Sequence, residues 1–321
     1  MALKVISGDN PRTVAVIATA AGVTGAGTPV EGAQLAIDPE SIGEMMEHHN
    51  IFGRVAPHQK RDMISALKHR GHVVAMVGDG INDILALKDA DLGIAMGTRT
   101  AATRAVAQVV LLDDSFAALP SIIAEGRRVI ANIERTGNLF LAKTSYVLLM
   151  ALAVGVAGVE FPFLPRHLSI VSALTIGVPA FFLALAPNTT RARPGFVLRV
   201  LRFSIPSGCI ASGATLAAYA FTRQLHPGNL DLARTAATLT LSASGLSILT
   251  FLARASTPWQ RLLLAAMLAA LGIVVALPKL RAFFGLEFPP FNVWLTIVAL
   301  AIATYMAFGH LTRMYSNPAP R

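Results

Sequence analysis

The chain reads as α/β in its first 138 residues, a partial doubly wound parallel sheet, and as an all-α bundle of six transmembrane helices over residues 139–321. Three observations carry this expectation. Short apolar segments alternate with helical patterns through the first part, the signature of a parallel sheet. Beyond it the pattern turns into apolar runs of about 20 residues, the length that crosses ~30 Å of hydrocarbon. Charge divides at the same place: up to Asn138 there are 13 Lys and Arg against 15 Asp and Glu, and from Leu139 onward 14 against 3.

The elements follow in order. Residues 4–7 form a first short strand, and Pro11 opens a helix over 11–21, where its fixed φ suits the first turn. Then come helix 39–48, strand 51–55, helix 58–70, strand 73–77, helix 82–88, strand 92–96, helix 100–107 and strand 109–112. A helix beginning at Ser115 runs into the membrane. The expected spans are 139–159, 168–186, 203–221, 233–253, 262–277 and 291–309.

The overall charge of +9 therefore belongs to the second half, in short loops between apolar runs, where it indicates topology and lipid headgroups, not nucleic acid. Arg191, Arg193, Arg199, Arg202, Arg254, Arg261, Arg313 and Arg321 fall on the side of the first domain. Arg166, Arg223, Arg234, Lys279 and Arg281 fall on the other, in modest agreement with the positive-inside rule. A single cysteine, Cys209, excludes an internal disulfide. The eight histidines show no metal-binding spacing, and the start MALKVISGDN has no signal-peptide pattern, consistent with a cytosolic first half.

The chemistry concentrates in residues 76–87, MVGDGINDILAL. Asp79 sits at a strand's carboxyl end, the edge at which open parallel sheets bind ligands, and a helix beginning near Asn82 aims free N–H groups at an anion there. Asp79 and Asp83 suit Mg²⁺, which takes few carboxylates and keeps phosphate oxygens and water as its other ligands. Alone, Gly-Asp-Gly is also an ordinary tight turn. SGDNP at 7–11 places Ser7 to donate to a phosphate oxygen, or Asp9 or Asn10 to cap a helix. RVAPHQK at 54–60 brings Lys60 as a point charge for phosphate, or as a solvated surface lysine.

Together, SGDNP, RVAPHQK and MVGDGINDILALKDADLGIAMG resemble, in order and spacing, the back half of the phosphorylation domain of P-type cation-transporting ATPases, a dehalogenase-like fold. The resemblance implies Mg²⁺-assisted phosphoryl transfer from ATP to an aspartate and then hydrolysis, driven by positioning and charge neutralisation. It makes Lys60, Asp79 and Asp83 the catalytic groups and Ser7, Gly8 and Asp9 the counterpart of a Thr-Gly-Asp triplet. Arg54 and Lys60 become nucleotide and phosphate contacts, and Asp79, Asn82 and Asp83 the Mg²⁺ and phosphate hinge.

No Asp-Lys-Thr-Gly-Thr string occurs, so the acceptor aspartate is missing. The resemblance thus implies the carboxyl-terminal part of a plasma-membrane pump, its first domain cytoplasmic. Such a part is expected to be inactive alone and completed by a missing amino-terminal half in the same or a separate chain. Two other readings remain: a membrane-tethered phosphatase, which needs the same nucleophile, and a non-catalytic nucleotide- or phosphate-binding module that regulates or assembles with a pump.

In the membrane half, Glu160, Asp231 and Glu287 all fall in expected loops, leaving no carboxylate inside the bilayer. Alignment with the pumps' sixth helix puts Ile176 where they carry aspartate, while Gly177 and Pro179 keep a helix break that frees carbonyls for an ion or simply kinks. Lys143 is a built-in counter-ion or gate, or a residue that snorkels to the boundary. Thr144 and Thr175, with Ser145, Tyr146, Ser169, Ser172 and Asn188, are candidate oxygen ligands or packing groups. FLAKTSYVLL and PFLPRHLSIVSALTIGVPAFFLALAPN resemble a bacterial and actinobacterial subgroup linked to calcium or other divalent cations.

Overall fold

A computed structural model describes residues 2–97, 100–113, 115–185, 195–253 and 258–316. The chain forms two compact units, Met1–Pro120 and Ser121–Arg321.

The first unit alternates strand and helix: β1 (Val5–Ile6), α1 (Pro11–Ala20), β2 (Val30–Glu31), α2 (Pro39–His48), β3 (Ile51–Gly53), α3 (Pro57–His69), β4 (Ala75–Gly78), α4 (Ile84–Asp89), β5 (Leu92–Met96), α5 (Ala101–Val106) and β6 (Val109–Leu111). A proline opens each of α1, α2 and α3. Two of these starts are capped: the Asn10 side chain accepts from the Arg12 N–H at 3.0 Å and Asp38 from the Ser41 N–H at 2.8 Å. The two-residue strand β2 had no sequence signal, being too short to show alternation.

All pairings are parallel, but they make two three-stranded sheets, β1-β3-β2 and β4-β5-β6. β1 pairs with β3 and β4 with β5, so each keeps one open edge among the described residues. The core gathers on β3 and the helices around it, with Phe52, Met46, Met63 and Leu87 fully enclosed.

The second unit is helical: α6 (Leu119–Ala157), α7 (Pro165–Ser172), a π-helical turn (Ala173–Gly177), α8 (Val178–Leu185), α9 (Phe196–Leu225), α10 (Leu230–Ala253), α11 (Pro258–Ala276), α12 (Pro278–Phe284) and α13 (Phe291–Ser316). Among the described residues five helices are long and apolar enough to cross a membrane, not the expected six: Phe116–Ala157, Pro165–Leu185, Leu230–Ala253, Pro258–Ala276 and Phe291–Met314. The expected span 203–221 lies within α9, which is 30 residues long but diluted by Ser204, Pro206, Ser207, Gly208, Ser212, Gly213 and Thr215. Most of those hydroxyls are buried against neighbouring helices, so polarity there reflects packing.

α10 is the centre of the bundle. Its Thr235, Thr238, Ser242 and Ser244 hydroxyls return to the carbonyl four residues earlier at 2.7–2.9 Å, which lets a hydroxyl-rich helix be buried on nearly every face. Asp231 is in the first turn of α10 and not in a loop. Ala186, Asn188, Arg191, Arg193, Arg254 and Arg321 lie outside the described residues.

Candidate phosphate and metal site

The loops leaving β1 and β3 are interlocked by backbone. The Ser7 N–H donates to the Phe52 carbonyl at 2.9 Å, the Val55 N–H to the Ser7 carbonyl at 3.0 Å, and the Arg54 N–H to the Asp9 carbonyl at 2.8 Å. Gly53 permits this approach, since a Cβ there would stand 2.5 Å from Pro11 Cα. Arg54 pays in backbone strain: it is the one non-glycine residue with positive φ, +49°, among the described residues. Its Nη1 donates to Glu31 Oε1 at 2.7 Å. Ser7 Oγ accepts from the Asp9 N–H at 3.1 Å and donates to Asp9 Oδ2 at 3.3 Å, closing a local turn.

Strand β4 is held at its start by Asp91, whose carboxylate accepts from the Val74 N–H at 2.8 Å; that bond, followed by Lys68, keeps the carboxyl below the usual range. At its other end Gly78 gives way to Asp79 and a 3₁₀ turn, Ile81–Asp83. Asp83 folds back under Gly78, where a Cβ would lie 2.6 Å from its own Cβ. There the Lys60 ammonium donates to Asp83 Oδ1 at 2.7 Å, with both side chains nearly out of solvent. Asp79 is exposed, and among the described residues no group bonds its carboxylate. Its backbone carbonyl accepts from Thr100 Oγ1 at 3.3 Å, and Thr103 Oγ1 donates to Thr100 Oγ1 at 3.1 Å.

Ile6, Ser7, Lys60, Met76, Val77, Gly78, Asp79, Asp83 and Met96 line one cavity of about 390 Å³. Ser7, Lys60, Asp79 and Asp83 are thus brought together from three separate sequence strings. Gly8, Asp9, Arg54 and Asn82 do not line it and lie exposed nearby. Sequence reasoning missed Thr100 and Thr103, for which the run TRTAAT offers only a helix-cap signal. Among the described residues no group of three His, Cys, Asp or Glu encloses an ion. A donor set of one unpartnered carboxylate with a second beside it fits Mg²⁺, which completes its octahedron with water and phosphate, and does not fit an all-protein cage.

In the helical unit, Thr175 is buried in the π-helical turn and its hydroxyl donates to the Val171 carbonyl at 2.8 Å; Pro179 is buried just beyond. Thr144 is exposed and donates to the Phe140 carbonyl at 3.1 Å. Lys143 is half-buried on α6. Glu160 pairs with Arg223 at 3.0 Å and Glu287 Oε2 accepts from Asn229 at 2.8 Å.

Residues 2–91 match the haloacid dehalogenase-like hydrolase family. Over 94% of its length the chain is 45% identical to the calcium-transporting ATPase CtpE of Mycolicibacterium smegmatis and 42% identical to CtpE of Mycobacterium tuberculosis. A probable cation-transporting ATPase of Streptococcus pneumoniae, exp7, is 40% identical over 64% of the chain. The chain spans 39% of the length of each CtpE relative and 27% of exp7. With a parallel-sheet dehalogenase-like unit followed by apolar helices able to cross a membrane several times, the chain belongs to the P-type cation-transporting ATPases, to whose carboxyl-terminal part it corresponds.

Proposed function

We propose that this chain is the carboxyl-terminal part of an ATP-driven calcium pump of the plasma membrane, with its first unit in the cytoplasm. The observation that carries this reading is the convergence of Ser7, Lys60, Asp79 and Asp83 on one cavity at the carboxyl ends of β1 and β4, in a chain 45% identical to a calcium-transporting ATPase.

In this reading Lys60 balances Asp83 at rest and turns one of its three donors to a phosphoryl oxygen when ATP is bound. Asp79, with Asp83 beside it, holds Mg²⁺, which when bound neutralises charge on the phosphoryl oxygens. Ser7, Gly8 and Asp9 present backbone and hydroxyl donors, and Arg54 and Asn82 frame the entrance for nucleotide. The acceptor aspartate comes from the amino-terminal part, on a strand that enters between the open edges of β1 and β4, so the chain alone does not turn over ATP. Among the described residues β1 and β4 are each the outer strand of a sheet, and Ile6 and Ser7 from one and Met76, Val77 and Gly78 from the other line the cavity.

The transported cation passes the helix break at Thr175 and Pro179, where a π-helical turn leaves main-chain oxygens without their regular α-helical partners. Lys143 and Thr144 on α6 stand on the same route in this reading, Lys143 as counter-charge.

Labelled ATP tests the proposal. The purified chain is expected to form no acid-stable phosphoenzyme. Co-expression with the amino-terminal part of the Mycolicibacterium relative restores one, and Asp79→Asn abolishes it again. Labelling of the chain alone refutes the missing-acceptor account, and no labelling of the reconstituted pair refutes the pump assignment.

A further inference from the structure

Asp79 and Asp83 are held in opposite ways. Asp83 is locked by Lys60 and by the close approach of Gly78, whereas the Asp79 carboxylate has no bonding partner among the described residues. A lone exposed carboxylate on a turn between two glycines swings freely unless its backbone is fixed. On one side the fixing is done by the sheet, through Gly78 opposite Ala95, and on the other by the 3₁₀ turn, whose Asp83 N–H donates to the Gly80 carbonyl at 3.1 Å. The peptide between them, which sets the direction of the Asp79 side chain, is held through its carbonyl by Thr100.

Thr100 occupies the capping position of α5, with φ −128° and ψ 120°, yet makes no capping bond with its side chain. Its hydroxyl hydrogen goes to the Asp79 carbonyl instead, and its lone pair accepts the hydroxyl of Thr103, which is 2% exposed. A buried hydroxyl needs a partner, and Thr103 spends its own on orienting Thr100. We infer that Thr100 and Thr103 form a hydroxyl relay that positions Asp79 as a metal ligand. They are positioning residues, since neither lines the cavity, and the inference rests on the reading of Asp79 as a Mg²⁺ ligand.

The test uses the full chain in lipid nanodiscs with Mn²⁺ as a paramagnetic probe, its free concentration read by electron paramagnetic resonance. Wild type binds Mn²⁺ and Asp79→Asn does not. Thr100→Val and Thr103→Val weaken the affinity about tenfold, the usual effect of losing an outer-shell hydrogen bond. Thr103→Ser keeps wild-type affinity because it keeps the hydroxyl. Unchanged binding in Thr100→Val while Asp79→Asn loses it overturns the relay alone. An equal loss in Thr103→Ser overturns it too, by assigning the effect to packing. No binding by wild type, or full binding by Asp79→Asn, overturns the metal site and the relay with it.

Discussion

The Lys60 ammonium sits 2.7 Å from Asp83 Oδ1, with side-chain exposures of only 11% and 9%. Two charges this far out of water are tolerable only together, because each alone bears a desolvation cost that its partner offsets. Lys60→Met is therefore expected to lower the unfolding free energy of the first unit by about 3–5 kcal/mol, leaving Asp83 buried and unpaired. Asp83→Leu has a similar cost. The double variant, with neither charge, recovers much of the loss. Denaturant unfolding of the three variants checks this, and strictly additive losses would show that the pair is not coupled.

Arg54 makes the opposite trade. Its left-handed backbone costs of order 1–2 kcal/mol in an L-residue, and its ion pair with Glu31, more than half exposed on the arginine side, returns less than ~1 kcal/mol. Arg54→Gly should raise the melting temperature of the first unit, while Arg54→Ala, which keeps the strained φ and loses the charge, should not. A pair of thermal melts separates the two, and equal melting points would mean that the strain is relieved elsewhere.

Glu47 on α2 clasps Arg70 just past α3, with Arg70 Nε and Nη2 donating at 3.0 and 2.9 Å and His72 Nε2 at 3.0 Å. Arg70 first, then His72, draws the Glu47 carboxyl down to about 2 from 4.5. The folded pKa lies below the unfolded one, so the stabilisation is complete above pH 4.5 and disappears as pH falls toward about 2. Glu47→Gln is expected to melt lower than wild type at neutral pH and to converge with it across that window. Parallel melts down the pH range give the check; a gap that persists at the acid end rules out this clasp as its source.

Much of this was legible in the residues. Prolines at helix starts, apolar strand segments and the three motif strings placed the elements of the first unit and drew Ser7, Lys60, Asp79 and Asp83 into one cavity. What local pattern cannot encode is pairing over distance. Lys60 reads as a surface or phosphate lysine until Asp83, 23 residues on, is folded against it. Separation into two half-sheets depends on hydrogen bonds that periodicity does not see, and β2 is too short to announce itself. In the helical unit α9 has the length of a span, but its glycines, serines and threonines keep it less apolar than the five candidate spans, and Ser204, Ser207, Ser212 and Thr215 are buried in the bundle.

Small residues also give the sharpest test of the bundle. A Cβ on Gly245 of α10 would stand 2.7 Å from Thr175 Cγ2 and 2.8 Å from Thr175 Cβ, in the π-helical turn itself. Gly213 of α9 has open space at the same position. Both are helix-interior glycines, so alanine reduces the unfolded chain's freedom equally at each, a gain of about 0.4–1 kcal/mol. Only at Gly245 does the new methyl press on a neighbouring helix, at about 1–3 kcal/mol for overpacking. Gly213→Ala should therefore raise the thermal stability of the chain in nanodiscs and Gly245→Ala should lower it. Two shifts of the same sign would mean that α10 and the π-helical turn can part without cost, and that Thr175 is not held where the bundle now holds it.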